Sequence, residues 1–144
     1  MPRPDIVDDN RDVVYELRAV GHVESPLSAA AQAPKQGHEG GPDAWLVFDA
    51  DYEPAMRDLA AGERAHVLTW LHLADRSVLR VHPRDDETQP IRGVFATRSQ
   101  DRPNPLGLHT VTILEVDRHR VLVSDLEAVD GTPIVDVKPV LRSD

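Results

Sequence analysis

The stretch from Gly93 to Leu108 reads Gly-Val-Phe-Ala-Thr-Arg-Ser-Gln-Asp-Arg-Pro-Asn-Pro-Leu-Gly-Leu. A short apolar run ends there in a loop that carries Arg98, Arg102 and Asn104, with the asparagine set between two prolines. Proline fixes φ and biases the preceding residue toward extended geometry, so this loop is predicted to be stiff and non-helical. Stiffness combined with polar donors is typical of a loop that holds functional groups in place. The alternative is a rigid strand connection whose arginines pair with nearby carboxylates.

Most of the chain on either side of this loop has strand patterns. Strands are predicted over residues 13–23, 44–50, 64–73, 77–82, 91–97, 109–117, 120–126 and 134–137. One helix is predicted from Tyr52 to Ala61, capped by Asp51 and stopped by Gly62. A long loop joins the first two strands, over residues 27–43. Many strands with one short helix predict a mainly β fold, a small antiparallel β-barrel.

Composition limits the classes of protein to which the chain can belong. Residues 1–12 are rich in aspartate and are predicted to be a disordered leader, with residues 13–144 as a single domain. The absence of cysteine excludes disulfides and favours the cytoplasm. No apolar run is long enough for a transmembrane helix, so no membrane association is expected. The net charge of −9 argues against a broad nucleic-acid footprint, although a local basic cluster remains compatible with it.

Several common kinds of site are not supported by the sequence. No strand is followed by a glycine-rich phosphate loop, and no Gly-x-Ser-x-Gly nucleophile motif occurs. His66 and His72 fall on one face of a predicted strand. Six residues of strand span roughly 20 Å, which is too far for one metal ion. No metal site is therefore predicted.

A second distinctive stretch, from Asp125 to Pro139, reads Asp-Leu-Glu-Ala-Val-Asp-Gly-Thr-Pro-Ile-Val-Asp-Val-Lys-Pro. Its four carboxylates flank a tight turn, and Lys138 lies two residues beyond Asp136. The carboxylates can balance Arg98 and Arg102 or receive a cationic ligand. A purely structural network of salt bridges is the alternative.

These two stretches together closely resemble the TrmO family, also called TsaA-like or YaeB-like proteins. The resemblance is carried by Phe-Ala-Thr-Arg-Ser-x-x-Arg-Pro-Asn-Pro-Leu-Gly-Leu and by Asp-Gly-Thr-Pro-Ile-Val-Asp-Val-Lys-Pro. It extends to Val20–Pro26 and to the Pro34-Lys35-Gln36 loop, and it covers residues 15–141. Members are S-adenosylmethionine-dependent methyltransferases built on a β-barrel.

The resemblance implies S-adenosylmethionine as cofactor and a homodimer with the cofactor at its interface. Arg98 is expected to clamp the methionine carboxylate by a charge-assisted pair. Arg102, Asn104 and Asp130 are the candidate catalytic residues, expected to position the substrate or to hold the loop. The implied cofactor contacts are Pro34, Lys35, Gln36, His72, Leu73, Arg98, Leu108, Ser124, Asp125, Leu126 and Glu127.

The substrate that the resemblance implies is tRNA, methylated on N6 of the N6-threonylcarbamoyladenosine at position 37. Two other functions remain open at this point: methylation of a small metabolite, and binding of S-adenosylmethionine without turnover. Five residues differ from those usual in the family: Lys35, Gln100, His109, Glu127 and Val140.

Overall fold

Six strands close into a barrel in the computed structural model, which describes residues 13–27 and 41–142. The barrel strands are β1 (Gly21–Glu24), β2 (Ala44–Phe48), β3 (Arg64–Trp70), β6 (Leu106–Asp117), β7 (Arg120–Val123) and β8 (Pro133–Pro139). Their order around the barrel is β1, β2, β7, β6, β3, β8, and β8 pairs back onto β1. Every neighbouring pair is antiparallel. The predicted mainly β, antiparallel fold is therefore confirmed.

Alternation along the strands builds the core inside the barrel. On β3, Ala65, Val67 and Thr69 point inward and are buried, whereas the residues between them are partly exposed. Strand β6 buries every second residue from Gly107 to Ile113 in the same way. Because successive side chains of a strand point to opposite faces, this pattern fixes the register of each strand against the core. The two inward polar residues near one end of these strands, Thr69 and His109, form part of the site described below.

The predicted helix is shorter than the sequence indicated. Residues Ala50–Met56 form a 3-10 helix, in place of a helix running from Tyr52 to Ala61. Pro54 lies inside it and has no N–H to donate, and Asp58 has a φ of 74°, which a continuing helix does not allow. The prediction of one helical segment at this place holds, while its type and its end were wrong.

Between β3 and β6 the chain leaves the barrel, and we call residues 71–105 the excursion. It contains a two-stranded ribbon of β4 (Arg80–Val81) and β5 (Arg92–Gly93), which pair antiparallel. Two further 3-10 helices, Pro83–Asp85 and Val94–Ala96, lie within it. The strands predicted over residues 77–82 and 91–97 are thus two residues long each, because little of the excursion packs on the core.

Strand β1 also differs from its prediction, because it begins at Gly21 and residues 13–20 have no regular structure. The predicted leader over residues 1–12 lies outside the described residues, as do Pro34, Lys35 and Gln36. Within residues 13–27 and 41–142, no helix is long and apolar enough to span a membrane.

Candidate functional site

An open groove of about 730 Å³ lies between the excursion and the start of β6. This volume is in the range of sites that hold a small molecule or cofactor. Residues 106–109 form one wall, residues 95–102 of the excursion form another, and Glu127 enters from the segment after β7. A small second pocket adjoins the groove and shares Leu71, Gln100 and Glu127 with it.

Arg102 stiffens the loop from the inside. Its guanidinium donates hydrogen bonds to the backbone carbonyls of Val94, Thr97 and Ser99, the last at 2.8 Å. Thr97 adds a bond from its hydroxyl to the Val94 carbonyl at 2.9 Å. The Val94 carbonyl also accepts the Thr97 N–H at 3.1 Å, so these donors join the first residue of the 3-10 helix over residues 94–96 to the loop that follows it. Arg102 lines the groove, but its charged group is engaged in holding the loop.

Asn104 lies outside the groove lining and is held by Arg76, whose guanidinium contacts three groups. It donates to the Asn104 Oδ1 atom at 3.1 Å and to the Pro103 carbonyl at 2.7 Å. It also stacks on Trp70, 5.1 Å from the ring centroid. This contact ties the proline-flanked part of the loop to the end of β3.

Asp130 also lies away from both pockets. Its Oδ1 atom accepts a hydrogen bond from the Ser25 N–H at 3.0 Å, and its own N–H donates to the Leu27 carbonyl at 2.6 Å. On the other side of the undescribed residues 28–40, Pro42 accepts a bond from the Leu126 N–H at 3.0 Å. Leu27 and Pro42 are therefore both hydrogen-bonded to the stretch over residues 126–130.

Five of the predicted cofactor contacts line one or both pockets, and three others do not. Arg98, Leu108 and Glu127 line the groove, and His72, Leu73 and Glu127 line the small pocket. The other three described candidates lie outside both pockets and shape the backbone before Glu127: Ser124, Asp125 and Leu126. Ser124 accepts from the Thr112 N–H at 3.1 Å, Asp125 has a φ of 53°, and Leu126 is fully buried.

Sequence reasoning did not identify a buried polar chain at the floor of the groove. His109, which is 5% exposed, places its Nε2 atom 2.8 Å from the Thr69 hydroxyl and its Nδ1 atom 2.8 Å from Oε1 of Glu127. The other carboxylate oxygen, Oε2, is buried and has no hydrogen-bond partner in the described structure. The signal in the sequence was the histidine itself, because the other inward-facing positions of β6 from Gly107 to Ile113 hold apolar or small residues.

The free charges of the groove are mostly positive. Arg92 and Arg98 are exposed, and their guanidinium groups make no hydrogen bond or ion pair with any residue that the structure describes. Asp101, by contrast, accepts a bond from the Asp75 N–H at 2.8 Å. Nowhere in residues 13–27 and 41–142 do three His, Asp or Glu side chains lie close enough together to hold a metal ion.

Residues 22–143 match the family described as the tRNA-methyltransferase O N-terminal domain. The chain belongs to the TrmO family. The family resemblance predicted from the two motifs is thereby confirmed.

Two archaeal relatives of this TrmO-family chain have similar lengths. A probable S-adenosyl-L-methionine-binding protein of Methanothermobacter thermautotrophicus is 41% identical over 128 residues, which are 89% of this chain and 91% of the relative. An S-adenosyl-L-methionine-binding protein of Archaeoglobus fulgidus is 40% identical over 122 residues, which are 85% of this chain and 86% of the relative.

A crystal structure of TrmO from Pseudomonas aeruginosa superposes with a TM-score of 0.73 at 23% identity. The match covers 94% of this chain and 58% of the bacterial one, so the present chain spans little more than half of that protein. At this identity the similarity establishes a shared fold.

Proposed function

We propose that this chain transfers the methyl group of S-adenosylmethionine to tRNA, on N6 of the N6-threonylcarbamoyladenosine at position 37. Membership in the TrmO family and the S-adenosylmethionine-binding relatives support the coarser statement, an S-adenosylmethionine-dependent methyltransferase. The acceptor and the modified position rest on the family resemblance and on the charge of the groove.

The observation that carries the proposal is the presence of Arg98 and Glu127 in one groove. The methionine end of the cofactor carries a carboxylate, an ammonium group and a sulfonium cation. The exposed guanidinium of Arg98 suits the carboxylate, since arginine binds carboxylates through two parallel hydrogen bonds. The unpartnered Oε2 atom of Glu127 suits a cationic or hydrogen-bond-donating group. Leu106 and Leu108 add apolar surface beside them.

The cofactor supplies an electrophilic methyl group, so the protein needs no nucleophile of its own. With the cofactor bound, the acceptor nitrogen would take the methyl group, S-adenosylhomocysteine would leave, and the proton of the nitrogen would pass to water. The contribution of the groove is alignment of the two reactants and exclusion of water. A loop braced by Arg102 and Arg76 serves that purpose, because small errors of position reduce the rate strongly.

Support for tRNA comes from where the positive charge lies. The whole chain carries −9, yet the groove is lined by four arginines, Arg84, Arg92, Arg98 and Arg102, against three acidic residues, Asp85, Asp101 and Glu127. Phosphate binding depends on such local clusters, since each neutralised phosphate releases a counterion. The exposed arginines of the groove would hold RNA phosphates close to the place where transfer occurs.

The experiment is mass spectrometry of nucleosides in tRNA from a strain that lacks the gene. The methylated form of N6-threonylcarbamoyladenosine is expected to disappear and the unmethylated form to accumulate. Restoring the wild-type gene should reverse the change, and a gene carrying Arg98→Ala should restore less. Unchanged modification in the deletion strain would contradict the proposed acceptor.

A small-molecule acceptor is the second candidate, favoured by the net charge of −9, which repels a large polyanion over most of the surface. Production of S-adenosylhomocysteine with a metabolite extract, and none with tRNA, would select it. Binding of S-adenosylmethionine with no turnover on either acceptor would identify the chain as a non-catalytic S-adenosylmethionine-binding module.

We also propose a homodimer that pairs near the groove. Phe95, which is 87% exposed, lines the same groove as the exposed Leu106 and Leu108, and a single copy leaves these apolar side chains in water. Sedimentation analysis should show a dimer that Phe95→Asp weakens. A monomer at all concentrations, with and without S-adenosylmethionine, would contradict this arrangement. A cytoplasmic location stays a prediction.

A further inference from the structure

We infer that His109 is a positioning residue that aims Oε2 of Glu127 at a cationic or hydrogen-bond-donating group of the bound cofactor. This inference rests on the proposed function, because it needs S-adenosylmethionine in the groove. It assigns a role to a buried side chain that neither motif contains.

The hydrogen-bond roles along the chain from Thr69 to Glu127 follow from chemistry. An ionised carboxylate only accepts, so the 2.8 Å contact requires the Nδ1 atom of His109 to carry a proton and donate it to Oε1. In the neutral ring the Nε2 atom is then an acceptor, and the Thr69 hydroxyl donates to it at 2.8 Å. The ionised Glu127 carboxylate thus sets the tautomer of His109, and the Thr69 hydroxyl, which can donate or accept, adapts to it.

The geometry leaves one carboxylate oxygen for a ligand. The side chain of Glu127 is 14% exposed, and the Oε2 atom itself is buried without a partner in the described structure. A buried charged oxygen without a donor is costly, so a site that keeps one is suited to a donor that arrives with a ligand. Glu127 lies in the wall shared by the groove and the small pocket, where a cofactor can reach it.

The chain of hydrogen bonds ends at Thr69, which solvent does not reach. A positioning role for His109 is therefore favoured over a role in proton transfer. Thr69 has no exposed surface, and Gly107 packs against both Thr69 and His109. A methyl group at position 107 would lie 2.7 Å from the Nε2 atom of His109. The glycine therefore leaves room for the Thr69–His109 bond, and the bond holds the imidazole in one orientation.

Three substitutions of His109 test the role by calorimetry with S-adenosylmethionine, using the full chain. His109→Asn keeps a donor at the position of Nδ1, His109→Gln keeps a polar group at the position of Nε2, and His109→Leu keeps neither. We expect the asparagine variant to bind within about threefold of wild type and the other two to lose roughly tenfold or more. Any other ranking among folded variants overturns the inference.

Two further measurements keep the test decisive. Glu127→Gln replaces an acceptor oxygen with an amide in the same shape, and it should lose affinity at least as much as His109→Leu. Repeating each titration with S-adenosylhomocysteine identifies the cofactor group that contacts Oε2. Loss of affinity for both ligands assigns the contact to an N–H or O–H group. Loss of affinity for S-adenosylmethionine alone assigns it to the sulfonium.

Wild-type protein provides a readout that does not depend on any variant folding. Nitrogen-15 NMR of the imidazole should show a proton on Nδ1 of His109 before and after S-adenosylmethionine is added. A ring protonated only on Nε2 overturns the inference. Failure of the proposed function would look different, because wild type would then show no S-adenosylmethionine binding or no methyl transfer.

Discussion

Arg98 is the residue on which the proposed cofactor site most directly depends. It is exposed in the groove, has no partner among the described residues, and follows a segment that Arg102 holds in place. Arg98→Ala should weaken binding of S-adenosylmethionine roughly tenfold or more, because a charge-assisted bond to the carboxylate is lost. Calorimetry measures this, with Arg57→Ala as a matched control at an exposed arginine outside the groove. Equal affinity of Arg98→Ala and wild type would refute the clamp.

Gly107 is the second residue whose substitution gives a clear prediction. An added methyl group would collide with the Thr69–His109 pair, so Gly107→Ala should destabilise the fold by about 1–3 kcal/mol. A chain of this length should then lose several degrees in Tm by scanning calorimetry. Gly93→Ala is the matched control, since its added methyl group meets nothing within 4 Å. Similar Tm values for both variants would show that the Thr69–His109 contact tolerates displacement.

At the residue scale the sequence predicted only part of the site. Arg98, Leu108 and Glu127, which line the groove, could be named because the family resemblance of the two motifs implied them as cofactor contacts. His109 could not, because a histidine within a strand pattern is compatible with a surface position until the register is known. His109 and Glu127 are also two of the five positions that differ from the usual family residues, and the structure joins them by a hydrogen bond.

At the scale of elements, the excursion carries most of the groove. Its stiffness was predicted from Pro103 and Pro105, yet much of it comes from hydrogen bonds made by Arg76 and Arg102 that no local pattern reveals. The predicted lengths of β4 and β5 were too great for a related reason. Apolar residues such as Leu79 and Ile91 favour strands locally, but they remain exposed because the excursion lies off the barrel.

The start of the excursion offers a pH-dependent test. Hydrogen bonds from the Ser77 hydroxyl and then from its N–H lower the pKa of Asp75 below 3.8. A carboxyl with a lowered pKa stabilises the folded state above the unfolded pKa, and this contribution is lost as pH falls through the folded pKa. Ser77→Ala should therefore raise the pKa of Asp75 toward 3.8 in an NMR titration.

Asp86 provides the internal control for that titration. Its pKa is lowered by the Thr88 hydroxyl and N–H in the same arrangement, at 2.6 and 2.9 Å. It should keep its lowered pKa in the Ser77→Ala protein. A shift of both aspartates, or of neither, would show that the turn around Asp75 is not held by Ser77.

At the scale of the whole molecule, the acidic net charge and the basic groove make salt dependence informative. If Arg92 contacts one tRNA phosphate, Arg92→Ala should weaken tRNA binding and reduce the slope of log affinity against log salt by roughly 0.7–0.9. Fluorescence anisotropy with labelled tRNA at several salt concentrations measures the slope. Arg57→Ala should leave it unchanged. An unaltered slope in Arg92→Ala would show that Arg92 does not contact a tRNA phosphate.

The barrel itself was predictable, because alternation in the segments that became β2, β3, β6 and β7 records which face is buried. The closure of β8 onto β1 was not, since it joins residues more than a hundred positions apart. The groove brings together the excursion, the start of β6 and Glu127 from the segment after β7, so its parts could be named from the motifs while their arrangement could not.

The central claim is methyl transfer from S-adenosylmethionine to tRNA, and one assay addresses it. The protein is incubated with S-adenosylmethionine carrying a labelled methyl group and with tRNA from the deletion strain, and the digested nucleosides are analysed by mass spectrometry. We predict label in N6-threonylcarbamoyladenosine, on the N6 methyl group, and formation of S-adenosylhomocysteine in equal amount. Binding of S-adenosylmethionine with no label in any tRNA nucleoside would contradict the claim.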